Sequence, residues 1–115
     1  MDVRKLKREE RWLSGDVAAL LEAVTALETK SEAKRFLRDL LTEAEIKEFA
    51  NRWRVARMLA DEVSYTRIEK ETGMSSATIA RIAAWMQQGM GGYRLMLTRR
   101  NRTKHHQVGL SMREG

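Results

Sequence analysis

Apolar side chains recur along this chain at spacings of three and four, and that period sets the elements to expect. Val17, Leu20, Leu21, Val24 and Leu27 make one stripe behind Ser14, Gly15 and Asp16, which predicts a helix of about 14 residues. Phe36, Leu37, Leu40 and Leu41 form a shorter stripe; Ser31, with Lys34 three residues on, is expected to cap it, and it ends near Leu41. Thr42 followed by Glu45 has the capping-box spacing, in which hydroxyl and carboxylate each satisfy an otherwise orphan backbone N–H. Behind it Ile46, Phe49, Ala50, Trp53, Ala56, Met58 and Leu59 keep the helical period as far as about Ala60. No run alternates with period two for long enough to suggest a strand, and no internal repeat is present. With no proline, caps and glycines must delimit the helices, and the expected fold class is all-α.

The stretch from Ser64 to Met86 is the most informative. Ser64 can cap a two-turn helix containing Ile68, which should stop at Gly73, a residue that tolerates the positive φ of a sharp turn. Ser75 or Ser76 then caps a second helix from Ala77 to about Gln88. Two short helices joined by a glycine-containing turn form a helix-turn-helix, here about 64–88, whose second helix enters the DNA major groove. Ile68, Met74, Ile79 and Ile82 fall where the two helices need buried contacts. Glu69 stands where a small residue is usual and Thr72 is only partly apolar, so an ordinary helix hairpin is the alternative.

Helical angles assign the faces of the second helix. Ile79, Ile82, Ala83 and Met86 should pack inward, while Thr78, Arg81 and Trp85 form a separate stripe. Ser75, Ser76, Ala77 and Thr78 occupy the N-terminal end, which brings backbone N–H groups and a positive dipole toward phosphate. One of the two serines is expected to cap whatever the function. Tyr65, Thr66 and Arg67 open the first helix, where the motif meets the nucleic-acid backbone; Arg67 is either a phosphate contact or a solvated arginine.

Composition narrows the classes. A chain of 115 residues can bury a single core, and 43% hydrophobic with 33% charged residues reads as globular. No stretch approaches the length of a membrane span, and the N-terminus lacks the apolar core of a signal peptide, so a cytoplasmic protein is expected. There is no cysteine, and the histidines are the adjacent pair His105 and His106, whose side chains diverge. No metal site is expected. No Ser-His-Asp set, phosphate loop or carboxylate pair stands out, so neither an enzyme nor a cofactor is expected. Trp53, Trp85 and the seven methionines are read as core and satellite packing.

The net charge of +6 favours a polyanionic partner. Much of it is terminal: residues 94–115 hold six of the 22 basic side chains and one acidic one, with Arg99, Arg100, Arg102 and Lys104 in close order. Leu95, Met96 and Leu97 are read as the last packed residues. This divides the chain into a helical domain, 1–97, and a basic flexible tail, 98–115, which either contacts phosphate or is a solvated end.

The segment from Leu41 to Tyr93 resembles the Trp-repressor superfamily. The run Gly73-Met74-Ser75-Ser76-Ala77-Thr78-Ile79-Ala80-Arg81 with Gly91-Gly92-Tyr93 resembles its YerC/YecD branch. Leu41-Thr42, Arg52, Ser64 and the Ala-Thr-Ile-x-Arg run occur in the family's order with nearly its spacing. The resemblance implies an intertwined all-helical homodimer. The apolar stripes before residue 42 also exceed what one helix-turn-helix can cover, a monomer being the alternative.

In Trp repressor the bound amino acid is held by two arginines and a threonine, which correspond to Arg52, Arg81 and Thr42. Ile82 and Trp85 stand where that repressor has a glycine and a serine, and both fill space. Tryptophan is therefore not the expected corepressor, and no small-molecule effector is the leading reading; a pocket of Thr42, Arg52, Arg81, Ile82 and Trp85 for another ligand is the alternative. Trp85 lies four residues after Arg81, so it either sits under that guanidinium as a built-in indole or packs on the next helix or the Tyr93 segment. The leading expectation is a homodimeric, sequence-specific transcriptional regulator of double-stranded DNA. An all-helical protein-interaction module and nonspecific binding through the tail are the alternatives.

Overall fold

Ser14 opens the first helix in the structure, a computed structural model that describes residues 11–102. Its hydroxyl accepts the Val17 amide at 3.2 Å, and α1 runs over Gly15–Ala26 with Asp16 in its first turn, where a carboxylate suits the helix dipole. Helix α2 spans Lys30–Leu40. Its cap is Thr29 and not Ser31: Thr29 Oγ1 accepts the Glu32 amide at 3.1 Å, and Glu32 Oε1 accepts the Glu28 amide at 2.9 Å. The reciprocal bond explains the difference, since it needs a carboxylate three residues after the cap and Ser31 is followed there by Lys34.

Helix α3, Glu43–Ala60, begins with the expected capping box. The Glu45 amide donates to Thr42 Oγ1 at 3.1 Å and the Thr42 amide to Glu45 Oε1 at 2.9 Å. These bonds hold the Glu45 carboxyl below its ordinary range, the bond from the Thr42 backbone contributing most. The other end closes at Glu62, which adopts φ 61°. The Glu62 amide donates to the Leu59 carbonyl and the Val63 amide to that of Met58. That pairing is a Schellman motif with a glutamate in the left-handed position that glycine usually takes.

The chain divides into two units between Ile46 and Lys47. In the first, α1 and α2 bury no residue, and Leu20, Leu21, Val24, Leu37 and Leu40 are exposed. The second unit holds the core. Here α4 spans Tyr65–Thr72, α5 spans Ser76–Gln88, and α6 covers residues 92–102. Val55 and Ala56 of α3, Ile68 of α4, and Ile79 and Ile82 of α5 are fully buried together. Each isoleucine contributes roughly 1.5–3 kcal/mol by leaving water. Trp53, Met58, Leu59, Val63, Met74, Met86 and Tyr93 pack around them.

Helix α6 departs from the sequence reading in two ways. Leu97 is packed at 7% exposure, whereas Leu95 and Met96 are about half exposed. The helix also continues past residue 97, and Arg100 Nη2 pairs with Asp61 Oδ1 at 2.9 Å. One guanidinium assigned to a basic tail is thus tied to the end of α3. Residues 103–115, with Lys104, His105 and His106, lie outside the described residues. Among the described residues there is no strand, and no helix is long and apolar enough to cross a membrane.

Candidate nucleic-acid interface

Ser64, Gly73 and Ser75 set the geometry of the two motif helices. Ser64 Oγ accepts the Arg67 amide at 3.3 Å to start α4. Gly73 ends it in the left-handed region, φ 76° and ψ 2°, with its amide on the Glu69 carbonyl. Thr72 ties the turn: its hydroxyl donates to the Ile68 carbonyl at 2.6 Å and accepts the Met74 amide at 3.2 Å. Its partial polarity is used by the turn itself. Ser75 caps α5, its Oγ accepting the Thr78 amide at 3.2 Å and contacting Thr78 Oγ1 at 3.0 Å.

With Ile68, Ile79 and Ile82 fully buried, the face they leave outward is defined. Tyr65, Thr66 and Arg67 at the start of α4 are exposed, as are Ser75, Ser76, Ala77, Ala80, Arg81 and Ala84 along α5; Thr78 is half-buried. Neither helix carries an acidic side chain in its first turn. The Ser76 and Ala77 amides of that turn have no partner inside the helix. Small side chains around a single exposed arginine, at a helix end with a positive dipole, suit close approach to an anionic groove.

The charges on α4 are not all free. Arg67 Nε donates to Glu71 Oε1 at 2.9 Å, and Arg54 lies 3.7 Å from the same carboxylate. The Arg67 hydrogen bond holds the Glu71 carboxyl below its ordinary range, and the bond to Glu71 raises the Arg67 guanidinium. Arg81 takes part in no ion pair among the described residues.

The residues proposed for a small-ligand pocket have separate surroundings. Thr42 is engaged in its capping box. Arg52 pairs with Glu48 at 2.8 Å and lies 5.7 Å from the Phe49 ring centroid. Ile82 is sealed in the core. Trp85 lines an apolar groove of about 570 Å³ with Trp53, Gly89, Met90, Gly92, Tyr93 and Met96. A smaller groove beside it is lined by Phe49, Arg52, Trp53 and Tyr93. The Trp53 and Tyr93 rings between them stack 6.5 Å apart at 7°.

An Arg81 stack on Trp85 is not among the cation–π contacts of the described residues, which are Arg52 over Phe49 and Arg57 over Trp53. Trp85, Met90 and Met96 are exposed, at 46%, 81% and 48%. Trp53 packs against the core, whereas these three line the groove with large exposed areas. Apolar periodicity does not reveal the groove, because its walls come from α3, α5 and α6 together. Its sequence signal is the glycine cluster Gly89, Gly91 and Gly92, followed by Tyr93.

Comparison with known proteins agrees with this architecture. The profile of the family described as Trp repressor protein matches residues 15–101. The chain is 36% identical over 104 residues to the uncharacterised protein YerC of Bacillus subtilis, covering 90% of this chain and 94% of that one. A TrpR-like protein from Eubacterium eligens superposes with a TM-score of 0.71 at 33% identity, over 76% of this chain and 91% of the other. A proposed Trp repressor from Staphylococcus aureus does so with a TM-score of 0.70 at 34% identity, over 88% and 95%. The all-α arrangement is that of these structures, and the chain belongs to the Trp repressor family.

Proposed function

We propose that the protein is a homodimeric, sequence-specific DNA-binding transcriptional regulator. The observation that carries this reading is the motif itself. Ile68, Ile79 and Ile82 are locked inward, while Tyr65, Thr66 and Arg67 at the start of α4 and Ser75, Ser76, Ala77 and Arg81 along the first half of α5 are exposed, with Thr78 half-buried among them. Membership of a regulator family supports it. In this arrangement α5 enters the major groove, its first-turn amides and Arg81 meet phosphate or base edges, and α4 braces on the backbone. Arg67 must exchange Glu71 for phosphate to contribute.

Support for the dimer comes from α1 and α2, which bury no residue of their own and expose Leu20, Leu21, Val24, Leu37 and Leu40. Covering such surface with a second copy removes it from water. No effector enters the reading. Of the residues that would hold a free tryptophan, Thr42 is engaged in its capping box, Arg52 is paired with Glu48 and Ile82 is inside the core.

A titration of duplex DNA at two salt concentrations tests the proposal. Affinity should fall steeply as salt rises, because bound phosphates must release their counterions, and light scattering should give twice the 13.3 kDa chain mass. Affinity for no duplex even at low salt would overturn it.

A further inference from the structure

Helix α5 ends without the usual means of satisfying its last carbonyls. Gly89 at its C-cap is extended, φ −78° and ψ −160°, not left-handed, and the last turn contains no basic side chain. The chain then passes through Gly89, Met90, Gly91 and Gly92, with Gly91 at φ 84°. Three glycines in four residues make this junction soft, since glycine has the widest conformational freedom. A reading helix joined to the next element by such a link would have no fixed direction of its own at this end.

Arg94 closes the gap. From the first turn of α6 its Nε donates to the Met86 carbonyl at 2.9 Å. Its Nη2 donates to the Gln87 carbonyl at 3.1 Å and to Gln87 Oε1 at 3.3 Å. One edge of the planar guanidinium thus spans two adjacent carbonyls on the rim of α5, and its positive charge faces the negative end of the dipole. Arg94 is in no ion pair among the described residues. Nε and Nη2 are thereby committed to α5, which leaves Nη1 alone facing away from it.

We propose that Arg94 is a positioning residue for the reading helix: it clamps the C-terminal end of α5 to α6 and fixes the direction in which α5 is presented. This rests on the DNA-binding reading above. In that role Arg94 touches no DNA and acts through the orientation of Ser76, Ala77 and Arg81. Lysine at the same place keeps the charge but not the two-pronged edge.

Arg94 is exposed, so Arg94→Ala and Arg94→Lys in the full chain should fold. Two measurements test them. Amide hydrogen exchange of the free protein should be about tenfold faster over the last turn of α5 in Arg94→Ala, and intermediate in Arg94→Lys, with Ile68 and Ile79 unchanged. Unchanged exchange at residues 86–89 overturns the clamp, whatever happens with DNA. With a duplex recovered by selection and a scrambled duplex, Arg94→Ala should lose about tenfold affinity for the first only, and the salt slope should stay as in wild type. A uniform loss on both duplexes, with the slope reduced by about one, would make Arg94 a phosphate contact and overturn the proposal. A wild type without sequence preference overturns the DNA reading and the positioning role together, while the exchange result by itself decides whether the clamp exists.

Discussion

Glu62, Gly73 and Gly89 occupy three helix ends, the first two left-handed and the third extended. Glu62 holds a left-handed conformation, φ 61°, that costs a residue with a Cβ roughly 1–2 kcal/mol. Glu62→Gly is therefore expected to stabilise the protein by about 0.5–1 kcal/mol after the added freedom of the unfolded chain is set against the relief. Gly73→Ala, at φ 76° with open space around the missing Cβ, should destabilise by about 1–2 kcal/mol from strain alone. Gly89 differs, because a Cβ there would lie 2.5 Å from the Trp85 carbonyl oxygen, so Gly89→Ala must displace the backbone of α5. Denaturant midpoints of the three variants measure these effects. An unchanged midpoint for Gly73→Ala would contradict the turn geometry.

At the scale of the element, caps decide where each helix starts, and they are legible in the sequence where their chemistry is local. Thr42 with Glu45, Ser64 and Gly73 are found in the bonds that their spacing predicts. Thr29 is harder to see, because the bond from the Glu28 amide to Glu32 has to be considered with the cap itself. The pH response belongs here as well. Glu45 and Glu71 have carboxyl groups held below their ordinary range by Thr42 and by Arg67. Their contribution is complete above the unfolded carboxylate value and is lost as pH falls through the lower folded one. Thermal midpoints should therefore drop as pH goes from about 4.5 toward 3. The drop should be smaller in Glu71→Gln, which cannot pair at any pH. A Glu71→Gln profile parallel to wild type would exclude Glu71 as a source of the response.

On the scale of the whole molecule, the helix order and the buried face of the motif can be read from apolar spacing, since Ile68, Ile79 and Ile82 pack between helices close in sequence. The groove of Trp53, Trp85 and Tyr93 cannot, because residues 53 and 93 meet only once α3 and α6 are placed. The exposed stripe of α1 and α2 carries the remaining expectation. Leu21→Asp with Val24→Asp should convert a dimer to monomer in sedimentation at micromolar concentration, and a dimer that persists would mean that these helices are not its interface.

The central claim is that α5 reads DNA from a two-fold assembly, and selection of bound sequences from a random duplex pool tests it most directly. The expected result is an approximate palindrome with half-sites about 10 bp apart, whose recovery weakens in Arg81→Ala. Recovery of no motif above background, from a protein shown to be folded and dimeric, would contradict it.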